Sequence, residues 1–224
     1  MAPRPRAIVY IDGFNLYYSL RRTPYKWLDI ASLADRLVPS CDVVKVRYFT
    51  ARVKPLDDPQ QPQRQQAYLR ALAADHRIEI EYGSFLVNSH ILPLSTDSTG
   101  APQFGKKGQP GTRVPVLKSE EKGSDVNLAA RLLIDAYEGA FDEAVVVSND
   151  TDLITPIGHV AKNLSLPIWV ASAVARPSPR LVRASSGFRP LVQTDFAACQ
   201  LPDPARDGRG TIYKPPKWGV PPYY

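Results

Sequence analysis

Apolar residues along the chain fall into short blocks with two different periods. Ile8 to Ile11 form an unbroken run that stops at Asp12-Gly13, which predicts a strand buried on both faces and then a turn. A helix follows over about Phe14 to Arg22, and a second helical patch covers Ile30 to Leu37. Val43 to Thr50 is rich in β-branched and aromatic residues and reads as a strand. After the polar Asp57 to Gln61 turn, Pro62 suits the first turn of a helix. In that helix Tyr68, Leu69, Leu72 and Ala73 recur at helical spacing, and it ends near His76. Ile78 to Val87 alternates apolar residues with Glu79 and Glu81, which predicts one strand with a wetter face.

The rhythm breaks between Asn88 and Lys118, where Pro, Gly, Ser and Thr predominate, so a long excursion or hairpin is expected there. Ser124 is a good N-cap for a helix whose Val126, Ala129, Leu132, Leu133 and Ala136 trace one face up to Gly139. Ala144 to Val147 is the clearest buried strand. It leads into Ser148-Asn149-Asp150-Thr151-Asp152, a helix to about Asn163 and a strand from Leu166 to Val170. A short helix from Ser178 to Ala184 and a last strand or turn near Leu191 complete the pattern. Strands alternating with helices imply parallel crossovers, hence an α/β three-layer sandwich with a mainly parallel central sheet over residues 1–200. From Leu201 onward six of 24 residues are proline, which predicts an extended, flexible tail over 201–224.

Composition narrows the function classes. With 224 residues, 44% hydrophobic and 22% charged, the chain is an ordinary globular length and make-up. Its uncharged stretches, Asn163 to Ala175 among them, are too short to cross a bilayer, and no signal peptide is evident, so a cytoplasmic protein is expected. Cys41 and Cys199 match no metal spacing, and neither do His76, His90 and His159. A Gly-x-Ser-x-Gly elbow is absent, and Gly105 to Thr112 lacks the Gly-Lys-Ser/Thr ending of a nucleotide phosphate loop. Asp12-Gly13-Phe14 lacks the second aspartate of aspartyl-phosphate phosphatases. The net charge of +6 favours anionic partners, nucleic acid first among them.

Placement of the acidic residues carries the chemistry. Asp12 follows the first buried strand, and Asp150 and Asp152 follow the Ala144 to Val147 strand. In open α/β sheets ligands bind beyond the carboxyl ends of strands where their order reverses, so if these strands are neighbours their carboxylates converge. Asp125 would join them from the first turn of its helix. Four carboxylates in one crevice repel each other unless a cation neutralises them, and oxygen-only sites suit Mg²⁺ or Mn²⁺. Each acid alone has an ordinary explanation: Asp152 as a helix cap, Asp125 as a dipole partner, Asp12 as a stabiliser of the Gly13 turn.

Three stretches resemble the motifs of a known family. They are Tyr10-Ile11-Asp12-Gly13-Phe14-Asn15-Leu16, Lys122-Gly123-Ser124-Asp125-Val126-Asn127-Leu128-Ala129 and Val147-Ser148-Asn149-Asp150-Thr151-Asp152-Leu153. In order and spacing, over residues 6 to about 195, they resemble the NYN domain family, the LabA-like branch of the PIN-like nucleases. The resemblance implies a PIN-like Rossmannoid fold and a metal-dependent ribonuclease site. Asp12, Asp125, Asp150 and Asp152 would be its acidic quartet, with Asn15 and Ser148 as polar companions. Where many relatives have Ser-Gly-Asp this chain has Ser148-Asn149-Asp150, and asparagine tolerates the left-handed angles such a turn uses.

On this reading Asp12 and Asp150 hold one Mg²⁺ or Mn²⁺, Asp125 and Asp152 bind it through waters or help hold a second ion, and Asn15 positions Asp12 or a phosphate oxygen. The expected partner is RNA, single-stranded, with no membrane; a homodimer is compatible, since PIN-like relatives often pair. Lys106, Lys107, Arg113, Lys118 and Lys122 are candidate phosphate contacts, while Tyr17, Tyr18 or Phe104 would stack bases. Against these contacts stand a solvated loop and ordinary packing on a helix flank. Two alternatives remain open at this point: a non-catalytic RNA-binding or protein-interaction module on the same fold, and a phosphatase or small-molecule enzyme using the same crevice.

Overall fold

In a computed structural model, which describes residues 3–55, 58–93, 113–174 and 176–219, strand β1 (Arg6–Asp12) lies at the centre of the molecule. Ala7, Val9 and Ile11 pack into one helical layer while Ile8 and Tyr10 pack into the other. Period two on a strand covered on both faces demands an unbroken apolar run. Helices α1 (Gly13–Leu20), α2 (Ile30–Leu37) and α3 (Gln61–Leu72) supply Leu16, Leu20, Leu33, Leu37, Leu69 and Leu72 to the first layer. Helices α4 (Ser124–Tyr137), α5 (Ile154–Lys162) and α6 (Pro179–Ala184) supply Leu128, Leu132, Ile157, Val160 and Leu181 to the second. Each such side chain contributes about 1.5–3 kcal/mol by leaving water.

The sheet comprises β1, β2 (Asp42–Thr50), β3 (Ile78–Tyr82), β6 (Glu143–Val147), β7 (Ile168–Ser172) and β8 (Gly187–Pro190) in the order β3-β2-β1-β6-β7-β8, and every neighbouring pair is parallel. Strand order therefore reverses between β1 and β6. The α/β three-layer reading holds, as does the pairing of β1 with the Ala144 to Val147 strand. Among the described residues, no helix is long and apolar enough to cross a membrane.

Three expectations need correction. The strand expected over Ile78 to Val87 breaks at Gly83, where a Cβ would lie 2.4 Å from Glu121 Oε1 and 2.6 Å from the Lys122 carbonyl. Beyond it β4 (Ser84–Pro93) leaves the sheet and pairs antiparallel with β5 (Arg113–Lys122), from Ser84 opposite Lys122 to Pro93 opposite Arg113. The excursion therefore has hairpin arms, held at the base by an edge-on contact between Phe85 and Phe14 at 5.5 Å. Secondly, Ser124 is the first helical residue of α4, and the N-cap is Gly123.

Thirdly, the segment expected as a flexible tail is folded over residues 201–219. After α7 (Gln193–Ala198) it forms a hairpin of β9 (Ala205–Asp207) and β10 (Gly210–Ile212), then a 3₁₀ turn at Pro216–Trp218. Trp218 is buried against Trp27 and Tyr68, with ring centroids 6.3 and 5.7 Å away. Ala205 and Ile212 join the same core cluster. Proline-rich composition depresses local structure, but three non-local apolar contacts outweigh it here.

One charged network clamps α4 to the sheet. Arg47 of β2 is buried and donates to both oxygens of Asp135 on α4 at 2.7 and 2.8 Å, to Glu79 at 2.6 Å and to Glu81 at 3.0 Å. The Tyr10 hydroxyl adds a 2.7 Å bond to Asp135. A buried cation is tolerable only with such complete pairing. The consequence for function is that α4, and Asp125 on its first turn, are fixed over β1.

Candidate active site

Asp12 ends β1 in register with Phe49 of β2, one residue past the Ile11–Val147 pair with β6. It shares a face with Ile8 and Tyr10, the face α4 covers, and is 5% exposed. Gly13 turns the chain there because a Cβ would meet the Phe49 carbonyl and the Tyr48 ring, both at 2.7 Å. Asp12 Oδ1 accepts from the Asn15 backbone N–H at 2.9 Å, capping α1, and Oδ2 accepts from Ser148 Oγ at 3.0 Å. Ser148 Oγ in turn accepts from the Asp150 N–H at 3.1 Å, and Asp150 Oδ1 accepts from the Asp152 N–H at 2.9 Å. A single chain of hydrogen bonds thus runs from the β1 exit to the β6 exit. The capping role expected of Asp152 falls to Asp150, at the head of a 3₁₀ turn (Thr151–Leu153).

Asp125 faces this chain of bonds from the first turn of α4. Its carboxyl is pushed up to about 6 by burial and then by the negative charges of Asp12, Asp150, Glu121 and Asp152. Burial likewise raises Asp12, against the stabilising hydrogen bonds from Asn15 and Ser148, and Asp150 raises it further. Four carboxylates from three places in the sequence therefore share one electrostatic field, with Glu121 as a fifth. Glu121 was not singled out in the sequence; it caps α4 by accepting from the Ser124 N–H at 2.9 Å. Its place directly before Lys122-Gly123-Ser124-Asp125 is the signal that points to it.

Among the described residues, no three His, Cys, Asp or Glu side chains stand close enough together to form a closed cage for a metal ion. The donor set is all oxygen and its negative charge is under-compensated, as the raised Asp125 and Asp12 show. Such a set fits a hard, hydrated dication held by one or two carboxylates and its own waters.

The other candidates are placed unevenly. Beside the crevice an open hollow of about 430 Å³ is lined by Asn15, Tyr18, Ser19, Asn149, Ala173 and Val174. Asn15 thus serves Asp12 with its backbone and lines the hollow as well. Asn149 is not left-handed; its Oδ1 accepts from the Ser178 N–H at 3.1 Å and ties the β6 exit to the start of α6. Tyr18 is 60% exposed with the Arg21 guanidinium 5.5 Å from its ring centroid, while Tyr17 is half-buried beside it. Lys122 stands at the hairpin base and pairs with Glu120 at 3.2 Å; Lys118 pairs with the same carboxylate. Arg113 donates to the Ile91 carbonyl at 2.9 Å at the far end of β5, nine residues from Lys122, a span of roughly 30 Å. It is not at the crevice. Lys106, Lys107 and Phe104 lie outside the described residues.

The sequence pattern of the NYN domain matches residues 6–192. The chain belongs to the NYN domain family. It is 31% identical to the 6-hydroxy-3-succinoylpyridine 3-monooxygenase HspA of Pseudomonas putida, an alignment that covers 95% of this chain and 75% of that protein. Its fold is similar to that of a Vibrio parahaemolyticus protein of unknown function, with a TM-score of 0.54, 16% identity, and coverage of 88% of this chain and 98% of that one. In this NYN domain the three motif stretches carry Asp12, Asp125 and Asp150 with Asp152 to one edge of the sheet. The match ends at residue 192, just before α7.

Proposed function

We propose that this NYN domain is a metal-dependent ribonuclease that hydrolyses phosphodiester bonds of single-stranded RNA at the crevice between β1 and β6. The observation that carries the reading is the hydrogen-bonded chain Asp12–Ser148–Asp150 across the strand-order reversal, with Asp125 opposite it. Asp12 and Asp150 would hold Mg²⁺ or Mn²⁺, with Asp125 and Asp152 joining through waters or a second ion. Such an ion, when bound, supplies charge relief at the phosphoryl oxygens and a water activated near neutral pH.

The chain's own residues do the rest. Ser148 and the Asn15 N–H each bond one oxygen of the Asp12 carboxylate and fix its orientation. Asp125 or Asp152 orients the attacking water. The Asn15 side chain, at the mouth of the hollow, binds the strand beside the scissile phosphate. The test is cleavage of end-labelled single-stranded RNA by the purified chain with Mn²⁺ or Mg²⁺ and with EDTA. Cleavage is expected with metal alone and is lost in Asp12→Asn, which keeps the cap on α1. Cleavage retained by Asp12→Asn in a clean preparation would refute the assignment of the site, whereas RNA binding with no turnover would refute the enzyme and favour the non-catalytic module.

A second reading rests on the 31% identity with a monooxygenase across 95% of the chain. On it, the hollow beside the crevice takes a hydroxylated pyridine. Oxygen consumption with 6-hydroxy-3-succinoylpyridine and a reduced nicotinamide, and none of the RNA cleavage, would replace the first reading with this one.

A further inference from the structure

An acidic crevice repels the polyanion it would cut, so the affinity for a strand must come from another surface. The hairpin cations carry no net positive charge, since Lys118 and Lys122 stand beside Glu120 and Glu121, and Arg113 is far along the hairpin. The folded C-terminal segment does bring cations together. Lys26 Nζ donates to the Arg21 carbonyl at 3.1 Å and Lys214 Nζ to the Pro24 carbonyl at 3.5 Å, so both ammonium groups sit on the turn that follows α1. Lys217 Nζ reaches Asp58 at 2.7 Å, and Arg64 on the first turns of α3 pairs with the same oxygen. Among the described residues, Asp58 is the one carboxylate that ion-pairs with any of these four. Burial, and then the charges of Lys214, Lys217 and Arg64, hold the Lys26 ammonium below its usual range, as expected of cations crowded without enough anions.

The segment that carries Lys214 and Lys217 is held firmly in the core. Trp218, next to Lys217, is locked between Trp27 and Tyr68. Tyr68 packs edge-on against Tyr48 at 6.5 Å, and the far end of the Tyr48 ring abuts Gly13, beside Asp12. Two ring contacts thus tie Trp218 to Tyr48 at the start of α1. Because the cations come as two pairs on different elements, they match successive phosphates of a chain better than one isolated phosphate.

We propose that Lys26, Lys214 and Lys217, backed by the largely buried Arg64, form a backbone-binding surface for single-stranded RNA to which the segment beyond residue 192 contributes two lysines; this rests on the ribonuclease reading of the crevice. Phosphate contacts of this kind position a strand and read no sequence. The test measures anisotropy of a labelled short oligouridylate with the full chain in EDTA, between about 50 and 200 mM salt, where the logarithmic slope falls by about 0.7 per lost phosphate contact. The double variant Lys214→Gln, Lys217→Gln should bind about tenfold or more weakly with a slope shallower by about 1.4, and an unchanged melting temperature. Lys26→Gln, on a different element, should lose about half as much slope, and keeps the test valid if the double variant loosens the segment. Affinity and slope equal to the original chain in both would overturn the surface, even if that chain cleaves RNA. Loss of binding in the variants of a chain that never cleaves RNA would uphold the surface and sink the nuclease. Binding of inorganic tripolyphosphate without binding of oligouridylate would overturn the assignment to RNA.

Discussion

Asp125→Asn should make the protein more stable while removing its activity. The carboxyl rises from an ordinary 3.8 to about 6, because burial and four neighbouring carboxylates oppose its charge. At about 1.4 kcal/mol per pH unit of displacement, that disfavours the charged form by up to about 3 kcal/mol. Asp125 is half-buried, so solvent screening cuts this to roughly 1–2 kcal/mol. Asparagine keeps the shape and loses the repulsion. It also loses a favourable charge at the N-terminus of α4, about 0.5 kcal/mol, which is the smaller effect. Between about pH 4 and 6 the folded chain holds more protons than the unfolded chain, so this group makes stability fall as pH rises through that window. The gain from Asn should accordingly be about 1 kcal/mol near neutral pH, some 2–4 °C in melting temperature for a chain of this length, and should vanish below about pH 4. Thermal melts across pH in EDTA check it. A variant no more stable than the original near neutral pH, or a gain that persists in acid, would refute the account of the crevice as a field of uncompensated charge.

Mn²⁺ should raise the melting temperature of the original chain, by about 2.7 kcal/mol of stability at one hundred times its dissociation constant, and should do far less for Asp12→Asn; calorimetry measures both. Asp135→Asn leaves Arg47 with an incomplete set of carboxylates and should cost about 3–5 kcal/mol in urea denaturation. Gly13→Ala forces a methyl group against the Phe49 carbonyl and the Tyr48 ring, so a loss of about 1–3 kcal/mol and a parallel fall in cleavage are expected. Trp218→Ala should cost about 3–5 kcal/mol or release the segment after α7 to protease, which gel analysis of a brief digest would reveal.

Much of this architecture is legible because local and global demands agree. Ile8 to Ile11 is apolar throughout since both faces of β1 are covered, and the same logic exposes β6. Alternation of strands and helices implies a parallel sheet but leaves the neighbours of β1 open; the observed reversal between β1 and β6 is what brings Asp12 near Asp150. Where the sequence misleads, a contact from far away decides the structure. Nothing within Ile78 to Val87 says that the strand must leave the sheet at Gly83; Glu121 and Lys122, returning along β5, occupy the space a side chain there would need. Likewise Pro215, Pro216 and Trp218 carry no periodicity, and distant contacts, the rings of Trp27 and Tyr68 first among them, make their segment fold. The Asp125 partner Glu121 is hidden for a third reason: its role depends on the turn through Gly123, which carries it back to the Ser124 N–H.

The central strand has one further implication, for how the chain is made. β1 meets β2 soon after it is synthesised, but its other flank waits for β6, which begins only at Glu143. During translation at about 5–20 residues per second, that flank stays open for several seconds, presenting an apolar ribbon with bare amide and carbonyl groups to any strand that passes. A truncated product ending before Glu143 should therefore precipitate, and the nascent first half is a natural client for a chaperone. Because the acids of the crevice are divided between the two halves, no such fragment can attack anything on its own.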